Sequence, residues 1–208
     1  LCQLQHLHRI RLSAQCLHAP EGDWAYRFSI RDDQGRVVAQ MTTDVSETTI
    51  ELSNPRLWWT HDLGQPYLYT AECELIAQGQ IQDQRLCRLG VRVIEMQTTL
   101  ENGENCFVIR LNGKPLCARG ANWVPVSNRL SGVKDGVYRR LVEMAQSAGM
   151  NLISDWGGGV YESDAFYNAC DEMGLLVWQY FMFACGEYPD FDPQFVSAVR
   201  EEVEKVVS

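Results

Sequence analysis

Residues 151–190, NLISDWGGGVYESDAFYNACDEMGLLVWQYFMFACGEYPD, concentrate the groups in this chain that could bind or transform a ligand. Trp156 ends an apolar run and is followed by Gly157, Gly158 and Gly159. Trp156, Tyr161, Phe166, Tyr167, Trp178 and Tyr180 fall within 25 positions. Three glycines let the backbone turn tightly and keep side chains away from whatever meets the tryptophan. Glu162 is a carboxylate among these aromatics, but it precedes a helical pattern, where negative charge is favoured by the helix dipole. That plainer role is the expected one, and no catalytic role is assigned to it.

Other reactive residue types lack the spacing that chemistry needs. The cysteines, at 2, 16, 73, 87, 106, 117, 170 and 185, form no C-x-x-C pair. The histidines, His6, His8, His18 and His61, show no ligand spacing. No metal site and no cofactor are therefore expected. Cys73, Cys87, Cys106 and Cys117 lie in apolar, strand-like stretches and are expected to be buried thiols acting as small hydrophobes. Free thiols fit a reducing compartment, so a cytoplasmic location is favoured.

Net charge is −9. Phosphate binding needs a basic face, so a nucleic-acid partner is excluded. No apolar run approaches the roughly 20 residues of a membrane helix, and none is expected. The opening residues, Leu1–His6, lack the basic-then-apolar pattern of a secretory leader.

The elements that must position the 151–190 segment follow two rhythms. Up to about residue 96, HRIRLSAQCL, WAYRFSIRD, TTIELS, LYTAECELIA and CRLGVRVIEM alternate apolar and polar side chains. Pro20-Glu21-Gly22, Asp32-Asp33-Gln34-Gly35 and Asn54-Pro55 punctuate them. Such short alternating strands predict an antiparallel sandwich. FVIRLNGKPLCARG, 107–120, predicts a hairpin turning at Asn112-Gly113. Residues 133–149 predict a helix with Val137, Leu141, Met144, Ala145 and Ala148 on its apolar face and Gly149 closing it.

NLIS then predicts a strand, ESDAFYNACDEMG a helix closed by Gly174, LLVWQYF a strand, and DPQFVSAVREEVEKVVS a helix with Asp192 as N-cap and Pro193 at its first position. Strands alternating with helices predict βαβ units and a parallel sheet. Ligands collect at the carboxyl ends of such strands. Those ends are Ala121-Asn122-Trp123, Ser154-Asp155-Trp156 and Gln179-Tyr180-Phe181. Trp178, inside its strand, is expected in the core, and Trp58 and Trp59 are expected to be packing aromatics.

Five ordered blocks carry a resemblance. LWW at 57–59, LGVR at 89–92, RLNGKPLCARGANWVP at 110–125, WGGGVYE at 156–162 and ACDEMGLLVWQYFMFAC at 169–185 resemble the β-mannosidases of glycoside hydrolase family 2. The resemblance implies a multidomain β plus α/β fold. Residues 1–96 would form an immunoglobulin-like β-sandwich and 97–208 the N-terminal part of a (β/α)8 TIM barrel, its first three βα units. A full barrel takes about 250 residues, so an incomplete one is expected here.

The resemblance also implies a function, a retaining exo-glycosidase acting on terminal β-mannosides or a related β-glycoside. Two carboxylates about 5 Å apart do that chemistry. In the family both glutamates follow later barrel strands, so no residue here takes either role and these residues alone are expected to be inactive. The expected partner is a β-linked mannoside or related saccharide. Asn122, Trp123, Trp156 and Gly157 are the implied substrate-binding residues, with the Trp156 ring as an aromatic platform for a sugar face.

Three positions depart from the family pattern. Ser154 stands where an arginine that pairs with the nucleophile is usual, Tyr180 where W-Q-D-F has aspartate, and Ser127 in place of the P-A-D-S aspartate. Removing a partner from a buried charge network costs several kcal/mol. The alternative reading is therefore a degenerate, non-catalytic carbohydrate-binding or scaffolding homologue. An unfinished sheet also has free edges, so self-association is expected.

Overall fold

A computed structural model of the chain describes residues 7–18, 20–100, 102–129 and 132–207. The chain divides into two compact units. One holds residues up to Cys117 together with Asp171–Gly174, the other Ala118–Cys170 and Leu175–Ser208.

The first unit contains two antiparallel sheets around one core. Strands β1 (Leu7–Ser13) and β4 (Glu47–Ser53) pair as one sheet. Strands β2 (Trp24–Arg31), β3 (Val37–Thr43), β5 (Tyr69–Ala77) and β6 (Gln80–Leu89) form the other in the order β3-β2-β5-β6. Period-two alternation sends Tyr26, Phe28 and Ile30 of β2 inward to meet Ile50 and Leu52 of β4, with Tyr67, Tyr69 and Val91 completing the cluster. Burying these side chains stabilises by about 1.5–3 kcal/mol each. On the β2–β5 pair, Arg27 and Arg31 hold Glu74 and Glu72 at 2.5 and 2.6 Å. The hydrogen bond from Arg27 pulls the Glu74 carboxyl below its usual range.

Two expectations for this region need correction. CRLGVRVIEM is not one strand: β6 ends at Leu89, and β7 (Ile94–Thr99) begins a separate sheet. The break follows from Trp58, which is fully buried. Its N–H donates to the Val91 carbonyl at 2.8 Å, and a Cβ at Gly90 would stand 3.1 Å from its ring. The four thiols are not buried either. Cys73 and Cys106 are half-buried and Cys87 and Cys117 exposed; among the described cysteines only Cys170 is buried. The cause for Cys87 is that β6 is exposed along almost its whole length. Cys2 and His6 lie outside the described residues.

Strands β7, β8 (Asn105–Leu111) and β9 (Lys114–Leu116) form a three-stranded antiparallel sheet. Its hairpin turns at Asn112-Gly113, with φ of 49° and 79° at the two residues. Both central residues of a type I′ turn need positive φ, which explains the Asn-Gly pair. Asn112 also bridges two other segments, its side chain accepting from the Val93 N–H and donating to the Trp58 carbonyl. This sheet falls within the first compact unit.

From residue 118 onward strands and helices alternate: β10 (Gly120–Trp123), α1 (Asp135–Ser147), β11 (Leu152–Asp155), α2 (Asp164–Met173), β12 (Leu176–Gln179) and α3 (Pro193–Val207), all in the second unit except the last three residues of α2. The strands form a parallel sheet in the order β10-β11-β12. Gly120 is required where β10 meets β11, because a Cβ there would stand 1.9 Å from the Leu152 carbonyl oxygen. Fully buried Asn151 ties the strand starts together. Its side chain accepts from the Arg119 N–H, its N–H donates to the Arg119 carbonyl, and its carbonyl accepts from Leu176.

The helix ends match their sequence signals. Gly149 after α1 and Gly174 after α2 take φ of 80° and 72°. Asp192 caps α3, its Oδ1 accepting from the Gln194 N–H at 2.9 Å, with Pro193 at the first position. The α1 face is displaced from expectation. Tyr138 and Val142 are its buried residues, whereas Val137 and Met144 are exposed. Two stripes one residue apart are both apolar, and the one that can bury a tyrosine ring is used.

Candidate functional site

Parallel register brings the three expected strand ends side by side. Asn122 pairs with Ser154 and Ser154 with Trp178; the next row is Trp123, Asp155 and Gln179. The ladder continues one step further, with the Trp156 N–H donating to the Trp123 carbonyl and the Tyr180 N–H to the Asp155 carbonyl, both at 3.1 Å. Alternation sends the two rows to opposite faces.

The Asn122–Ser154–Trp178 row leads to an open aromatic surface. Asn122 is exposed and Ser154 half-buried. Trp156 is 43% exposed, Trp178 37% and Tyr180 46%. Trp178 is thus not in the core: it lies two residues before Tyr180 on the same face, and their rings stack at 6.3 Å and 17°.

Gly157 is buried, and a Cβ there would strike the Phe181 and Phe183 carbonyls at 2.6 and 2.5 Å. A Cβ at Gly158 would meet the Trp156 ring at 2.2 Å. The glycines therefore make room for the indole and for the 181–183 backbone. Ser127 lies in the loop after β10, its Oγ accepting from the Arg129 N–H at 3.0 Å.

The opposite face carries a buried polar cluster. Trp123 Nε1 donates to Glu162 Oε1 at 2.8 Å, and its ring packs on fully buried Phe166 at 4.6 Å. The Glu162 N–H donates to Tyr167 Oη at 3.3 Å, and that hydroxyl donates to Gln179 Oε1 at 2.7 Å. Burial and a bond to Glu162 push the Tyr138 hydroxyl up. Burial, then the nearby Asp155 charge, pushes Tyr167 up to about 12.

Glu162 is thus more than a charge at a helix start. It precedes α2 by two residues, is 7% exposed, and anchors the Trp123 indole.

Asp155 is 1% exposed and its Oδ2 has no hydrogen-bond partner. Burial pushes its carboxyl up to about 6, Glu162 adding to the rise and a Gln179 hydrogen bond opposing it. Sequence reasoning missed this cluster. Trp123, Asp155, Glu162, Tyr167 and Gln179 were each visible as clustered aromatics, strand-end residues or an acid, but nothing in the sequence showed that they meet, and Tyr138 gave no signal. Among the described residues, no group of three His, Cys, Asp or Glu side chains could hold a metal ion.

Residues 11–92 match the model of the glycosyl hydrolases family 2. Over 180 residues the chain is 33% identical to beta-mannosidase B of Emericella nidulans, a match covering 86% of this chain and 21% of that protein. It is 35% identical over 167 residues to beta-mannosidase B of Aspergillus terreus, covering 80% of this chain and 20% of the relative. A solved structure, the beta-D-mannosidase from Dictyoglomus thermophilum, superposes with a TM-score of 0.80 at 36% identity over 87% of this chain and 23% of that one.

The chain is a β-mannosidase-like member of glycosyl hydrolase family 2. It spans about 20% of the length of the curated relatives it matches. Within this family 2 chain, the stretch from β10 to β12 supplies the aromatic strand ends, and the motif WGGGVYE supplies two of the groups described above. Its tryptophan is the exposed Trp156, and its glutamate is the buried anchor Glu162.

Proposed function

We propose that this chain contributes one wall of the saccharide cleft of a retaining exo-glycosidase acting on β-mannosides or a related β-glycoside. Residues 1–96 are read as an immunoglobulin-like sandwich and 97–208 as the opening part of a (β/α)8 barrel, its first three βα units. Asn122, Trp156 and Gly157 are assigned to the substrate, while Trp123 stands behind them on the opposite face, where its indole holds Glu162. No residue of this chain is assigned the acid/base or nucleophile role, so the chain alone binds but does not hydrolyse.

One observation carries the reading: Asn122, Trp156 and Tyr180 share one end of a parallel sheet, and the aromatic rings are open to solvent. Sugars present apolar ring faces and hydroxyl edges, which need an aromatic platform with a few polar groups beside it. The beta-mannosidase names of the relatives add the substrate class.

A second reading, a non-catalytic carbohydrate-binding homologue, is favoured by Ser154 and Tyr180. Neither supplies the charge expected there, and the two lie near each other at the strand ends.

An assay with an aryl β-mannoside separates the two. The 208 residues alone should show no turnover, and the longer polypeptide should hydrolyse the substrate. Trp156→Ala should weaken saccharide binding by about tenfold, roughly 1.4 kcal/mol, read by titration calorimetry. Inert longer protein that still binds mannose would favour the second reading; no binding by either form would overturn both.

A further inference from the structure

We propose that the Asp155 carboxyl is held protonated on the buried side of the strand ends, making it a proton-dependent positioning residue for the face that carries Asn122, Trp156 and Tyr180. The effect on ligand binding rests on the function proposed above; the effect on folding does not.

The geometry begins with an orphan. Asp155 Oδ2 is buried with no partner. The Asp155 carbonyl accepts from Tyr180, and the next residue donates to Trp123. The Asp155 backbone is thus held between both neighbouring strand ends, and its side chain is 1% exposed. An ionised oxygen left unpaired in such a place costs far more than a neutral one. The titratable groups that bear on it are Glu162 ahead of α2, Tyr167 on α2 and, through Glu162, Tyr138 on α1; none is basic.

Glu162 differs in having a partner, the Trp123 indole, which donates to it. The proton therefore resides on Asp155, whose Oδ2 has no donor facing it. Burial pushing Asp155 up to about 6 agrees with this assignment.

A carboxyl whose folded value lies above its unfolded value binds its proton more tightly when folded. Its contribution is fully present below about pH 4 and is lost as pH rises through about 6. A rise from about 4 to about 6 corresponds to roughly a hundredfold in the folding equilibrium constant. Above that range an ionised, unpaired oxygen is enclosed at the strand ends, and they loosen.

The test is urea unfolding of the 208-residue chain from pH 4 to 8, followed by tryptophan fluorescence, for the wild type, Asp155→Asn and Asp155→Val. The wild-type equilibrium constant should fall by roughly a hundredfold across the range relative to either variant. The valine variant removes the orphan oxygen altogether and serves if the amide fails to fold. A carbon-13 NMR titration of the Asp155 carboxyl should give a midpoint near 6. Parallel pH profiles for all three proteins, or an Asp155 midpoint near 4, would overturn the proposal. Saccharide affinity should also weaken above pH 6 in the wild type alone. If the stability profile behaves as described and no saccharide binds at any pH, the functional reading fails and the proton clasp stands.

Discussion

The close approach of β10 and β11 makes one substitution decisive. In Gly120→Ala, the new Cβ would lie 1.9 Å from the Leu152 carbonyl oxygen and 2.9 Å from its carbon. Carbon and oxygen normally meet at about 3.3 Å or more, so the strands must part by over 1 Å. Ladder hydrogen bonds near 2.9 Å do not survive that extension. The obstruction is backbone, so no side chain can rotate to relieve it. Loss of three or four hydrogen bonds at about 1 kcal/mol each gives about 3–4 kcal/mol, a large share of a domain's total stability.

The same change at Gly136, in the first turn of α1, should act oppositely. Nothing stands within 4 Å of a Cβ there, and φ is not positive. Alanine should stabilise by about 0.5–1 kcal/mol through backbone entropy. Urea unfolding followed by far-ultraviolet circular dichroism and tryptophan fluorescence measures both. A Gly120→Ala protein within about 0.5 kcal/mol of wild type would refute the strand contact, and with it the alignment of Asn122 beside Ser154.

Two further tests probe the second unit. Trp123→Phe keeps a ring on Phe166 but removes the donor to the buried Glu162 carboxylate. A hydrogen bond to a charged group contributes about 1.5–3 kcal/mol, so unfolding should show a loss of that size, and a loss under about 0.5 kcal/mol would count against the anchor. The described parallel sheet has β10 and β12 at its edges, each paired on one side. Open edges template further pairing, so size-exclusion chromatography should show concentration-dependent self-association; a monomer at every concentration would contradict it.

What the sequence disclosed depended on whether a residue's neighbours were close in the chain. β2 and β4 were legible because one face of each meets the core, and burial enforces alternation. β3 and most of β6 are exposed on both faces, so nothing imposes a pattern on QIQDQRLCRL, and only its last residues were recognised. The α1 stripe was misplaced by one position because two apolar stripes overlap and periodicity cannot say which meets a partner. The Asn-Gly turn, the closing glycines and the Asp192 cap were legible because each is a local conformational requirement.

The candidate site divides along the same line. Its open face could be read because aromatic and polar residues sit at three strand ends that βαβ order makes neighbours. Its buried face could not. Trp123, Tyr138, Asp155, Glu162, Tyr167 and Gln179 come from six separate positions with no common period, and they meet only because sheet register and two helices bring them together.

Asp155 shows how much that concealment hides from a sequence-only reading. An acid at the end of an apolar strand reads as a strand terminus reaching solvent, yet here the strand continues through Trp156 into a further hydrogen bond and leaves the carboxyl enclosed. Three hydrogen-bonded strand ends fix the backbone, and the carboxyl lies 1% exposed on the side where Tyr167 of α2 feels its charge. The chemistry of the open face is therefore coupled to the protonation of the hidden one, and replacing Asp155 is the substitution that separates them.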